Sequence, residues 1–314
     1  MKTVFKLKVL TPMFMGGADP RGEPELRAAS IRGAMRFWFR AIVGAVTSDP
    51  REIYRLESEV FGNTEKRSKV VVRITQQPRI EEFDKCLDKR SVSYIGYGLY
   101  ESRDEPARKC LMGNAQFELD FPSDFQKLMG YILWFIQNVG GLGARSRKGF
   151  GSVKIIALND KIINDILKIS PDQFLACSNL KRCLKEALKG LKNDFDFVTQ
   201  SMHPSLSPKM FNFSLVSTNE DSFCYLLQRI NKNYRNFRRN LSKRQRKYLG
   251  FSGKDRRSSP LFIRPVKLKD EGPFKVVLFL FKSRFHPEMP DPEFDELFEG
   301  IKSAFENARR HRYV

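Results

Sequence analysis

The sequence predicts an α+β protein of two tandem units with antiparallel sheets, the second unit incomplete or rearranged. Three observations lead there. Short β-branched runs alternate with amphipathic helical stretches. The same element order then recurs in the second half of the chain. The chain has 314 residues, room for two domains of ordinary size, and at 41% hydrophobic it can bury a core in each.

The elements follow in order. Thr3 to Leu10 sets Lys6 and Lys8 among apolar residues in alternation, a strand and not a signal peptide. Ser30 is a good N-cap for a helix running to about Gly44. Lys69 to Thr75 is a strand by β-branched content, and Gln116 to Phe121 alternates as a third. Ser123 caps an apolar helix with Leu128, Met129, Ile132, Phe135, Ile136 and Val139 on one stripe. Ser152 to Leu158 is a fourth strand. The order β-α-β-β-α-β is that of a ferredoxin-like (RRM-like) domain, residues 1–158. The segment Gln76 to Ala115 is an insertion whose YIGYG stretch, Tyr94 to Gly98, reads as a loop or small hairpin.

Residues 159–314 form the second unit. Leu180 to Leu191 is a helix, Phe211 to Ser217 a strand, and Ser222 to about Asn240 a long helix. Leu261 to Leu268 and Phe274 to Lys282 are strands, and Phe294 to Arg309 is a closing helix. This is again ferredoxin-like, with one strand missing or displaced. The strand VVLFLF, Val276 to Phe281, is apolar on both faces, so helices or the other domain should cover it.

Charge narrows the function. Fifty-six Lys and Arg against thirty-six Asp and Glu leave +20, with a pI near 9.8, which favours a polyanionic partner. Five scattered cysteines without a CxxC pair, and three histidines, disfavour a zinc site or a disulfide framework and suit a reducing cytoplasm. Apolar runs such as Val276 to Phe281 are far too short to span a bilayer.

Three features concentrate the positive charge. The first is GGLGARSRKGFG, Gly140 to Gly151, where Gly141 and Gly143 let a ligand approach the main chain and Arg145, Ser146, Arg147 and Lys148 supply donors. It lacks P-loop spacing, and a helix precedes it while a strand follows, the reverse of a dinucleotide-binding turn. Lys148 to Val153 is similar to the start of an RNP1 signature but lacks two of its aromatics. A flexible turn is the plain alternative. The second feature is the helix after Ser30, in which Arg32, Arg36 and Arg40 share a face without carboxylates at i±4. Its start offers amides to a phosphate, and Phe37, Trp38 and Phe39 read as core. The third is Tyr225 to Arg257, with twelve cations against the single acid Asp255. Phe223, Leu226, Leu227, Ile230, Tyr234 and Phe237 make its buried stripe. Lys232, Arg235, Arg238, Arg239, Lys243, Arg244, Arg246 and Lys247 are its candidate contacts to phosphate or to an acidic partner.

No catalytic set emerges. His203 and His286 each precede a proline, and His311 lies in the tail. The acids Asp291, Glu293, Asp295 and Glu296 gather at the start of the last helix, where they complement its dipole. No cofactor and no metal is expected.

Leu10 to Asp19 (LTPMFMGGAD), Glu25 to Arg27 and Ser30 to Arg40 resemble the N-terminal signature of CRISPR RAMP proteins. Gly140 to Ser152 resembles that superfamily's glycine-rich loop, and Ser258 to Leu261 resembles a shorter segment. These segments are also similar to those of the first RAMP-module subunits of type III-B (Cmr) effector complexes. The resemblance implies two ferredoxin-like domains and assembly with other RAMP subunits into an RNA-guided complex that cuts invading RNA. It implies a non-catalytic place at the end that holds the 3′ part of the guide, in contact with single-stranded guide and target RNA. On this reading Arg27, Ser30, Arg32, Arg36, Arg40, the glycine-rich loop and the basic stretch contact RNA. Some superfamily members are guide-processing endonucleases that use a histidine, so a metal-independent endoribonuclease is the alternative. The first domain contains no histidine.

Overall fold

A computed structural model describes the chain except for residues 18, 20–21, 84–86, 88, 100–106, 194, 251–257, 283–293 and 307–314, and the side chain of Cys177. Several residues therefore lie outside the described part: one of the five cysteines (Cys86), the end of the basic stretch (Lys254, Asp255, Arg256 and Arg257), His286, Asp291, Glu293, His311 and the last turn expected of the closing helix.

The first half runs β1 (Lys2–Met13), α1 (Ala28–Val43), α2 (Pro50–Phe61), β2 (Val71–Gln76), β3 (Arg79–Glu81), α3 (Lys89–Val92), β4 (Cys110–Asp120), α4 (Gln126–Phe135) and β5 (Val153–Ala157). Its sheet has the order β2-β4-β1-β5, all antiparallel, with β3 also paired to β4. Counting only the four principal strands, this is the 4-1-3-2 arrangement of a ferredoxin-like domain. The long central strand β1 shifts register between Val9 and Met13, where Pro12 lacks an N–H for the ladder.

Two expected caps are corrected. α1 begins at Ala28 and not after Ser30, because the Arg27 carbonyl already accepts from the Ser30 and Ile31 amides at 3.0 and 3.1 Å. No side chain caps it. Ser123 likewise lies inside a short 3-10 turn that precedes α4, with Pro122 at the cap position. α2 was not expected at all. Asp49 caps it by accepting from the Arg51 amide, Pro50 stands at the first position, and Ile53, Leu56, Val60 and Phe61 face the core.

α4 is apolar on all sides, with Tyr131, Leu133 and Trp134 buried beside the expected stripe. Three helices bury its outer face: α5 (Lys161–Lys168), α6 (Pro171–Leu175) and α7 (Cys177–Leu188). Trp134 stacks on Phe174 at 3.8 Å and donates to the Ile169 carbonyl.

The second half continues with β6 (Phe211–Ser217), α8 (Phe223–Arg239), α9 (Lys243–Tyr248), β7 (Leu261–Val266), β8 (Lys275–Phe281) and α10 (Phe294–Glu306). Ser222 caps α8 as its position suggests, and Ser242 with Gln245 forms a capping box on α9. The sheet order β6-β8-β7 is antiparallel, a ferredoxin-like sheet with three strands among the described residues. β8 is buried on both faces. Val276, Leu278 and Leu280 meet α8 and α10, while Val277, Phe279 and Phe281 join the core of the first half around Trp38 and Phe135. Both kinds of cover that its apolar character demanded are present.

Cys110 and Cys183 are free and buried, but Cys224 is disulfide-bonded, so the expectation of uniformly free thiols fails there. Among the described residues no helix is long and apolar enough to cross a membrane.

Candidate nucleic-acid interface

The three motifs of the first half, far apart in sequence, are hydrogen-bonded neighbours. The Ala144 amide donates to the Phe14 carbonyl at 2.7 Å, and the Gly151 amide to that of Pro12 at 2.9 Å. Buried Thr11 accepts from the Ser152 amide and donates to the Gly149 carbonyl. Arg27 reaches back to the carbonyls of Gly16 and Gly17 and pairs with Glu25. The α4 helix relaxes into one turn of π-helix, Ile136–Gly140, before entering the loop.

Part of the main-chain clamp expected of the loop is already engaged within the protein. The amides of Leu142, Ala144, Lys148 and Gly151 all donate to protein carbonyls and do not point at a ligand. Its glycines serve close packing. A Cβ at Gly151 would lie 1.8 Å from the Leu142 oxygen, and both Gly141 and Gly151 have positive φ.

The cations of the loop diverge. Arg147 is partly exposed and lies over the rings of Phe262 and Phe37, at 4.8 and 5.4 Å, while donating to the Ser259 carbonyl; desolvation lowers its pKa to about 10. Lys148 keeps part of its length at the surface, but its ammonium turns inward to Tyr234 Oη (3.0 Å), Ser259 Oγ (2.9 Å) and the Leu261 carbonyl. Desolvation, then Arg238, Arg147 and Arg145, hold its pKa well below the usual lysine range. Both residues join the loop to the second sheet, where Lys148 also bridges β7 at Ile263. Arg145 is exposed, with Ser146 beside it half-buried. Arg145 donates to the Tyr97 carbonyl and, among the described residues, is the one non-glycine with positive φ.

On α1, Ile31, Met35, Trp38 and Ile42 are buried as their spacing requires, and Arg32 is exposed. Arg36 Nε and Arg40 Nη1 both reach Glu57 Oε1 of α2, at 2.5 and 2.7 Å. The arginine row therefore has a protein counter-ion from another helix, which corrects the expectation of an unpaired row. Glu57 is nearly buried, whereas Arg40 keeps 45% of its side chain in solvent.

The basic stretch also divides. Arg238 and Arg246 donate to the backbone carbonyls of Arg246, Gly250, Leu241 and Arg239, and Arg244 to Tyr248 Oη. These cations tie α8 to α9. Lys232, Arg235, Arg239, Lys243 and Lys247 are exposed. The YIGYG segment is a turn and not a hairpin. It is held to α8 by the amides of Tyr94 and Ile95, which donate to Asn231 Oδ1. Tyr94 lies within the field of Arg238, Arg246 and Arg235, and Tyr97 meets Arg145. This turn thus connects the tip of the glycine-rich loop to the basic helices. The sequence singles this segment out as a loop or small hairpin but not its attachment to α8 and Arg145, and it does not single out Glu57 or Thr11; the two tyrosines flanking Ile95 and Gly96 were the signal.

A cavity of about 410 Å³ opens on the other side of the loop, lined by Phe37, Arg40, Tyr54, Glu57, Arg147, His203 and Phe262 among others. Among the described residues no group of three or more His, Cys, Asp or Glu is placed to hold a metal.

The family model of the RAMP superfamily matches residues 6–154. The CRISPR system Cmr subunit Cmr1-1 of Pyrococcus furiosus is 30% identical over 91% of this chain and 89% of its own length. The chain belongs to the RAMP superfamily, among the Cmr1-type subunits. Cmr1-2 of the same organism is 30% identical over 52% of this chain and 99% of its own. The crystal structure of Pyrococcus furiosus Cmr1 in its apo form superposes with a TM-score of 0.71 at 25% identity, covering 98% of this chain and 97% of that one. A chain in the cryo-EM structure of the type III-B Cmr-beta complex bound to cognate target RNA shares the fold at TM-score 0.61 and 13% identity, covering 97% of this chain and all of that one. The RAMP match ends just past the glycine-rich loop, so the family signature and the junction described above coincide.

Proposed function

We propose that this chain is a non-catalytic RNA-binding subunit of a type III-B CRISPR effector, contacting guide and target RNA beside other RAMP subunits in the cytoplasm. The observation that carries the reading is the position of Arg145. It is exposed at the tip of the RAMP loop and joined through Tyr97 to the turn that packs on basic α8. Arg32 and Arg40 on α1 and Arg235, Arg239 and Lys243 on α8–α9 are further exposed cations that this reading gives to the RNA. Such a surface tracks a phosphodiester backbone and not a base sequence. Relatives named as Cmr subunits, and a neighbour solved with target RNA, agree with it.

A second reading, a metal-independent endoribonuclease, rests on His203 lining the cavity beside Arg40 and Arg147. General acid–base cleavage needs a second proton-transfer group. The acid lining the same cavity, Glu57, is already held by Arg36 and Arg40. Incubation with 5′-labelled single-stranded RNA, with and without EDTA, separates the readings. The expected result is a complex containing full-length RNA. Discrete products abolished by His203→Ala would establish the enzyme instead.

A further inference from the structure

We propose that the cavity between α1, α2 and the start of β7 is a receptor for one unstacked nucleobase of the bound RNA. The proposal rests on the RNA-binding reading above and adds a base-sized site to its backbone contacts.

The walls have the chemistry of a base pocket. Phe37 is half-buried, and its ring stands 6.1 Å from that of Phe262, with buried Phe281 closing the floor. The planar guanidinium of Arg147 lies across Phe37 and Phe262 and presents a second flat, cationic surface. Bases stack on both kinds of plane. Tyr54, 56% exposed, stands at the rim as an unburied aromatic on α2. The lining is mostly apolar, with a few polar groups to orient what enters, the pattern of a small-molecule site of this volume. Arg40 supplies positive charge at the edge for the adjoining phosphate, and Glu57 a nearly buried carboxylate as acceptor.

Position supports the same occupant. Arg145 and Arg147, two residues apart in one loop, face opposite ways: Arg145 toward Tyr97 and α8, Arg147 into this cavity. A strand of RNA crossing the loop would pass the cavity mouth. Ser258 and Pro260 line it too, so the short segment Ser258 to Leu261 has a place in the site that its sequence alone did not suggest. Arg147 is held in register by the Ser259 carbonyl.

The test uses the full chain and a ten-nucleotide RNA in which every base is 4-thiouridine, irradiated, digested and mapped by mass spectrometry. Binding is read in parallel by fluorescence anisotropy. The proposal expects adducts on Phe37, Tyr54 or Phe262. It expects Ser258→Trp, which places an indole at the exposed mouth, to remove those adducts and weaken binding between about fivefold and 150-fold, the effect of losing one base stack. The salt slope of binding should stay unchanged, since no phosphate contact is touched. Tyr54→Ala, at an exposed position, should give a smaller loss in the same direction and covers the case in which the tryptophan variant unfolds. RNA bound with undiminished affinity by both variants, and adducts confined to other elements, would overturn the pocket while leaving the RNA-binding reading intact. Wild-type protein that fails to bind RNA would overturn that reading itself and the pocket with it. 4-Thiouridine 5′-monophosphate labelling the same walls as strongly as the RNA would make this a free-nucleotide site and overturn the proposal.

Discussion

Arg264 lies directly beneath Gly141, its Nη1 2.2 Å from the point a Cβ would occupy. The guanidinium is wholly buried, donates to the Gln137 and Phe150 carbonyls, and leaves Nη2 without a partner among the described residues. A cation from the second sheet therefore supports the entry to the glycine-rich loop from below. Gly141→Ala should destabilise the protein by about 1–3 kcal/mol, from overpacking and the positive φ together. Urea unfolding measures it, and an alanine variant as stable as wild type would contradict the packing role.

Arg145→Gly should separate stability from binding. The left-handed φ of 57° costs a non-glycine residue about 1–2 kcal/mol, which glycine does not incur. The variant should melt no lower than wild type yet bind single-stranded RNA more weakly. Stability and affinity falling together would mean that Arg145 is a structural residue.

Lys148 gives a pH signature. Its folded pKa lies well below the ordinary lysine value of about 10.4, so between the two the unfolded chain binds more protons than the folded one. Stability from this group therefore rises with pH across that window. The unfolding free energy of wild type minus that of Lys148→Met should grow from pH 7 to pH 10. A difference flat in pH would show that the ammonium is not desolvated.

Glu57→Gln removes the counter-ion shared by Arg36 and Arg40. Two half-exposed arginines are then left beside a neutral amide, and stability should fall modestly, by about 1 kcal/mol. RNA affinity should rise instead, with the salt slope steeper by about 0.7 as Arg36 becomes available to phosphate beside Arg40. Unchanged RNA affinity would place α1 away from the RNA.

Much of this was legible from residue patterns. β6 and α8 follow directly from alternation, the Ser222 cap and the Leu226–Ile230–Tyr234 stripe. The both-faces burial of β8 follows from VVLFLF. The basic loop was legible as charge but not as geometry. Whether Arg147 and Lys148 face solvent depends on a second sheet more than a hundred residues away, which supplies Ser259 and Leu261. The same holds for Glu57, whose partners sit on a different helix, so local i±4 spacing could not reveal it. α2 itself carried a readable signal in Asp49, Pro50 and its apolar spacing.

On the proposed function, a cationic surface centred on Arg145 holds the RNA backbone. The affinity of the full chain for single-stranded RNA, measured against salt, tests it most directly. The log–log slope should be clearly negative, at about −0.7 for each phosphate contact, and shallower by about 1.4 in Arg145→Ala with Arg235→Ala, whatever the RNA sequence. Binding that does not weaken with salt, or a slope the double variant leaves untouched, would contradict it.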